Sequence, residues 1–157
     1  MRYFFLLGVI CFFCYIFLVG LSKDPTKLPS NFVNKKIPEF VAESLKKKNS
    51  FTNKDLDSKK TIKLVNFFAS WCPPCKIEHP QLKYFAMNES IELFGINKKD
   101  KIEDLYGFLN KLGNPYKKIG LDPKGTVSIE WVVYGLPETF FIDKKSKYIF
   151  DDSDSNS

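Results

Sequence analysis

One histidine, His79, and four cysteines stand in 157 residues, and two of the cysteines fall inside a wholly apolar stretch. Zinc takes four protein ligands in a structural site. The polar part of the chain offers two thiols and one imidazole, so no metal site is expected. Arginine-rich helices are missing, and so are basic patches interleaved with aromatics. The formal charge of +6 comes from scattered lysines such as Lys46-Lys47-Lys48, Lys59-Lys60 and Lys98-Lys99. Such a scatter is a solvated surface, and nucleic acid is not an expected partner. A weak pull toward anionic lipid headgroups is the better use of the charge. Internal repeats are absent, and the one low-complexity tract is the acidic end, DDSDSNS, over 151–157.

What is present is aromatic. Sixteen phenylalanines and 16% aromatics overall supply a packed interior for one domain. The first apolar run, YFFLLGVICFFCYIFLVGL over 3–21, carries no charge. Nineteen residues at about 1.5 Å each reach roughly 28 Å, enough to cross a bilayer core. A signal-peptide core is shorter, about 7–15 residues, although Gly20 and Ser22 leave a cleavage site conceivable. The expectation is an uncleaved anchor over 1–22, a polar linker with Pro25 and Pro29 over 23–35, a domain over 36–150 and a tail over 151–157. Arg2 against Lys23 and Lys27 gives no orientation by charge. Cys11 and Cys14, two residues apart within the apolar run, have neither water nor base there and read as small hydrophobes.

The chemistry sits at Trp71-Cys72-Pro73-Pro74-Cys75. An apolar run, Lys63-Leu64-Val65-Asn66-Phe67-Phe68-Ala69, precedes it and a helical pattern follows. A strand that turns into a helix at Cys-x-x-Cys sets the first sulfur at the helix N-terminus. Unpaired N–H groups and the positive dipole end favour thiolate there. Pro73 and Pro74 suit a helix entry, where no intrahelical N–H is missed. The pair reads as a dithiol/disulfide redox centre that needs no organic cofactor, since the dithiol itself carries two electrons.

Around it, 64–69 and 91–96 read as buried parallel strands. Ile77, Leu82, Phe85 and Ala86 mark a helix that Pro80 should kink, and 101–112 is an amphipathic helix stopped by Gly113-Asn114-Pro115. Residues 37–41 suggest a short edge segment. The polar stretch 49–60 has Phe51 and Leu56 as its anchors, 121–125 is a turn, and 139–143 with 148–150 form a hairpin. The sum is an α/β sandwich with a mixed sheet.

FFASWCPPC followed by Lys76-Ile77-Glu78-His79, and later Val133-Tyr134-Gly135-Leu136-Pro137-Glu138-Thr139-Phe140-Phe141-Ile142-Asp143, resemble the membrane-anchored thioredoxin-like proteins of cytochrome c maturation, the CcmG/DsbE type. The first motif is shared by the whole thioredoxin superfamily. The second is more specific, and Asn110-Lys111-Leu112-Gly113-Asn114-Pro115-Tyr116 also looks like a loop of that family. The resemblance implies a thioredoxin-like α/β fold, a central mixed sheet flanked by helices, with an inserted βα element behind an N-terminal transmembrane helix. Family members continue into a further strand and a terminal helix, and this chain ends in DDSDSNS instead. A truncated reading frame or a copy without the cover helix would expose one sheet face.

The roles follow from motif and resemblance together. Cys72, the helix-start thiol and the more exposed of the two, is the expected nucleophile, and Cys75 resolves the mixed disulfide. Many thioredoxins carry a buried aspartate where Asn66 stands here, so Glu78 and Glu138 are the candidates for the base. The resemblance implies a cis Pro137 opposite the dithiol, with the Leu136 backbone free to pair with an extended substrate. Trp71 shields the sulfurs and lines the docking surface. Tyr134 and Phe140 belong to groove or core, and His79 to surface or packing. The implied activity is protein-disulfide reduction on the outer face of a bacterial inner membrane. It would keep the haem-binding cysteines of apocytochrome c reduced, with electrons from a membrane thiol-transfer protein of the DsbD/CcdA kind. A general extracytoplasmic reductase and a redox-inactive truncated scaffold are the alternatives.

Overall fold

The computed structural model describes residues 2–21, 36–46, 49–57, 61–143 and 148–151. The expected linker over 23–35, the hairpin turn at 144–147 and the tail beyond Asp151 lie outside them. The chain divides into two units, Met1–Pro29 and Ser30–Asn156. The first holds helix α1, Arg2–Leu21. Its described side chains, at 3–4 and 7–18, are all exposed, the free thiols of Cys11 and Cys14 among them. Among the described residues no helix is long and apolar enough to cross a membrane.

The second unit runs β1 (Val41–Ser44), β2 (Phe51–Thr52), α2 (Asn53–Leu56), β3 (Ile62–Phe68), α3 (Pro73–Ala86), β4 (Ile91–Lys98), α4 (Ile102–Leu112), β5 (Lys118–Asp122), α5 (Thr126–Glu130), β6 (Glu138–Ile142) and β7 (Tyr148–Asp151). Seven strands form one sheet in the order β2-β1-β5-β4-β3-β6-β7. β4 lies parallel to both β3 and β5, while β6 runs antiparallel to β3 and to β7. The sheet is therefore mixed, as the strand and helix order suggested.

β3 is buried on both faces, as its unbroken apolar run requires of a central strand. Alternation along the strand splits it between two cores. Val65 and Phe67 enter an aromatic cluster with Phe40, Phe51, Phe94, Trp131 and Phe140. Leu64 and Phe68 enter the other, which holds Leu82, Leu105, Phe108 and both cysteines of the Cys-x-x-Cys. The second core therefore ends at the redox pair.

One expectation changes. The segment at 37–41 is not an edge strand: β1 starts at Val41 and lies inside the sheet, between β2 and β5. Pro38 has no N–H for a ladder, and Asn53 serves this segment instead. Its Nδ2 donates to the Pro38 carbonyl at 2.6 Å and its Oδ1 accepts the Phe40 N–H at 2.9 Å. The turn expected at 121–125 is present, between the end of β5 at Asp122 and the start of α5 at Thr126. Asp122 makes the junction, its buried carboxylate accepting the N–H groups of Val127 and Ser128 and the Ser128 hydroxyl. α3 continues through Pro80 to Ala86.

His79 pins α3 to the turn after α4. It is buried, donates from Nε2 to the Gly113 carbonyl at 2.9 Å, and packs edge-on against Phe108. Burial pushes its pKa below the usual imidazole value, and Lys83 adds to this against the pull of the Gly113 bond. Since the folded form holds the neutral ring, the unfolded chain takes up the proton first as pH falls. Stability is full above about pH 6.5 and declines as pH drops below it. Urea titrations should show the midpoint falling between pH 7.5 and 5.5, with a flatter profile in His79→Gln. An unchanged slope in that variant would assign the dependence to another group.

Candidate active site

β3 ends at Phe68, and the chain closes a turn in which the Cys72 N–H donates to the Ala69 carbonyl at 3.2 Å. Cys72 is the N-cap of α3, its Sγ accepting the Cys75 N–H at 3.2 Å. Pro73 and Pro74 fill the first helical positions, where their missing N–H groups cost no helical bond. The two cysteines are joined as a disulfide with Cα atoms 5.4 Å apart. Both are buried, Cys72 at 2% exposure and Cys75 at 3%. Cys72 is thus not the more exposed of the pair. Leu136, from far along the chain, packs against the cluster that contains both sulfurs and against the aromatic cluster as well.

Leu136 belongs to the loop between α5 and β6. That loop begins with Val132 in the left-handed region, at φ +53°, and ends in a cis Leu136–Pro137 bond, as expected for Pro137. Glu138 is buried behind it, its Oε2 accepting the N–H of Tyr134 at 3.0 Å and that of Gly135 at 3.5 Å. One carboxylate thereby gathers the loop around its own strand start. Tyr134 is 65% exposed and Trp71 57%, whereas Phe140 lies in the aromatic core.

Glu78 is half-buried one turn after Cys75, and a buried polar chain leads to it. The Tyr116 hydroxyl donates to Asn66 Oδ1 at 2.8 Å, and Asn66 Nδ2 donates to Thr139 Oγ1 at 3.0 Å. The Thr139 hydroxyl then donates to Glu78 Oε1 at 3.4 Å. Four segments meet here: the loop before β5, then β3, β6 and α3. Burial pushes the Tyr116 phenol well above its usual value, and the charge of Glu78 adds to the rise, so Tyr116 stays a donor. Gly95 makes the room, since a Cβ there would stand 2.8 Å from Phe68 Cε1 and 3.0 Å from Tyr116 Cδ1.

The chain thus carries a disulfide at a helix tip and a cis-proline loop. The family model described as Redoxin matches residues 32–156. The thiol:disulfide interchange protein HelX of Rhodobacter capsulatus is 42% identical over 122 residues, 78% of this chain and 68% of that protein. The chain belongs to the Redoxin family, as a thiol:disulfide interchange protein of the DsbE/CcmG/HelX type. The DsbE protein of Allochromatium vinosum is 37% identical over 137 residues, 87% of this chain and 75% of that one. A crystal structure of a thiol:disulfide interchange protein DsbE from Chlorobium tepidum matches with a TM-score of 0.62 at 25% identity. That match covers 76% of this chain and 83% of the other, so the fold is thioredoxin-like.

In this interchange protein the expected site residues fall in two sets. Cys72 and Cys75 form the disulfide, Leu136 packs against the core cluster that holds them, Pro137 follows it across the cis bond, and Trp71 and Tyr134 are exposed. In the other set Glu78 joins Asn66, Thr139 and Tyr116. Thr139 and Tyr116 were not foreseen. The clue was Asn66, because a polar side chain in an otherwise apolar central strand must find partners.

Proposed function

We propose that this interchange protein is a membrane-tethered protein-disulfide reductase of an extracytoplasmic space, with apocytochrome c as its target. The observation that carries the reading is the Cys72–Cys75 disulfide at the N-terminus of α3, in a chain that also carries a cis Leu136–Pro137 bond. In the reduced form the Cys72 thiolate attacks a target disulfide, and the displaced target sulfur leaves as a thiol. Cys75 then loses its proton and attacks Cys72 Sγ. The second target thiol departs, and the two electrons have passed from the dithiol to the target. Glu78 is the base for Cys75. Glu138, its carboxylate engaged by two loop N–H groups, shapes the loop that meets the substrate. The Cys75 N–H, directed at Cys72 Sγ, and the positive end of the α3 dipole support the thiolate of Cys72.

An oxidising compartment closes the cysteines of a Cys-x-x-Cys-His haem site, which gives a reductase its purpose there. The tether we propose is the uncharged apolar run over 3–21. Re-reduction of Cys72–Cys75 then falls to a membrane thiol-transfer donor. The name of the DsbE and HelX relatives, thiol:disulfide interchange protein, supports the exchange chemistry. The test compares kcat/KM for an oxidised Cys-x-x-Cys-His peptide with that for an unrelated disulfide peptide. Preference for the first is expected, and equal values would leave a general reductase.

Glu78→Gln tests the base. General base catalysis is worth about 10²-fold or more, so the second step should slow by about that factor. The first attack, made by Cys72, should keep its rate. Rapid acid quench would show the mixed disulfide accumulating, and wild-type resolution rates would remove Glu78 from the mechanism.

A further inference from the structure

Asp100 lies on the turn between β4 and α4, and the reaction as derived gives it no part. Its carboxylate is nevertheless fully engaged. Oδ2 accepts the Ser70 N–H at 2.6 Å and Asn97 Nδ2–H at 2.9 Å. Oδ1 accepts the Ser70 hydroxyl at 2.7 Å and the Lys101 N–H at 2.9 Å. A residue that served only the start of α4 would need the last of these. Two of the four go instead to Ser70, which sits two residues before Cys72. The same turn reaches the next residue as well, since Trp71 Nε1–H donates to the Lys99 carbonyl at 3.0 Å. Lys99 itself sits at φ +47°, in the left-handed region, with its N–H on the Asp122 carbonyl at 3.0 Å. A non-glycine residue is held there only when its surroundings over-determine it. Here the Asp122 bond on one side and Asp100 on the other do so, and the carbonyl of Lys99 is aimed at the indole.

The consequence falls on Trp71. Its ring is 57% exposed immediately before the redox cysteine, and its one polar atom is anchored. A large aromatic surface fixed in the free protein loses little freedom when a polypeptide docks on it. We infer that Asp100 is the positioning residue that, through Ser70 and the Lys99 carbonyl, holds the Trp71 ring as a preset platform for the polypeptide flanking a target disulfide. This rests on the protein-disulfide exchange proposed above. It separates recognition of the target, which needs the platform, from the exchange chemistry of the sulfurs, which does not.

The full chain is compared with Asp100→Ala, Trp71→Ala and the double variant, using two reaction partners. One is dithiothreitol, too small to use the platform, and the other is a disulfide-bonded peptide. Asp100→Ala should lower kcat/KM toward the peptide by about tenfold, carried by KM. Exchange with dithiothreitol should stay within about twofold. Trp71→Ala should show a similar loss, and the double variant should be no worse than Trp71→Ala alone, because both changes remove one platform. Equal slowing with both partners, no slowing with either, or losses that multiply in the double variant would overturn the inference. Should Asp100→Ala fail to fold, Ser70→Ala removes one of the four bonds. It should give a loss of about two- to threefold toward the peptide alone, and the absence of that loss would equally overturn it. No exchange with dithiothreitol in the unaltered chain would instead sink the redox reading, and this inference with it.

Discussion

Cys72→Ala eliminates reduction of a disulfide-bearing target, while Cys75→Ala carries out the first exchange and then stops as a covalent adduct. The difference follows from where the sulfurs sit. Cys72 is the cap of α3, with the N–H of Cys75 already directed at its Sγ at 3.2 Å. Cys75 lies inside the first turn, where its only route to a target sulfur is through Cys72. Without Cys72 there is no thiolate at the tip, and turnover should fall by at least about 10³-fold, the scale on which covalent catalysis fails when its nucleophile is removed. Without Cys75 the mixed disulfide has no resolving thiol. Non-reducing electrophoresis and intact mass should therefore show a stoichiometric adduct in Cys75→Ala and none in Cys72→Ala. An adduct formed through Cys75 in the Cys72→Ala protein would reverse the two roles.

The burial of both cysteines sharpens this prediction. At 2% and 3% exposure neither is open to a partner in the disulfide-bonded form. The cis-proline loop, which Glu138 gathers through Tyr134 and Gly135, packs Leu136 against the same core cluster.

The burial of Cys72 marks the limit of what the local pattern conveys. The redox pair was legible because strand, turn and helix are contiguous over 62–86, and the helix-tip effect depends on local geometry alone. The cis bond at Pro137 came from a motif rather than from any local rule, and it stands. The greater exposure expected of Cys72 is not found, since both cysteines belong to a core cluster whose other members lie as far along the chain as Tyr116 and Ile119. The polar chain was half legible. Asn66 stood out in its apolar run, but its partners lie 50 and 73 residues away, and only the sheet register brings Thr139 opposite it. β1, β2 and α5 are two to five residues long, and β2 has only two. Elements so short have almost no stability of their own and exist because neighbours pair with or cap them. Phe51 and Leu56 were nonetheless correct as anchors, since both are fully buried.

Trp131→Ala should be the most damaging single change outside the redox pair. The side chain is fully buried, directly after α5, and contacts three rings: Phe40 at 5.4 Å, Phe67 at 5.4 Å and Phe140 at 5.3 Å between centroids. Those rings belong to the segment before β1, to β3 and to β6, so one indole joins the start of the fold to both strands that carry the site. Truncating such a residue removes its burial energy and leaves a cavity, at a cost of about 3–5 kcal/mol. Domains of this kind are stable by only about 5–15 kcal/mol, so the variant should unfold at a far lower denaturant concentration or fail to accumulate. Phe140 lies on β6 two residues after Glu138, so its loss of support also loosens the strand from which the cis-proline loop departs. Urea unfolding of oxidised protein should therefore show a midpoint drop in Trp131→Ala much larger than in Tyr134→Ala, whose ring is exposed. Comparable drops would mean that the aromatic cluster is not what holds β6 and its loop against β3.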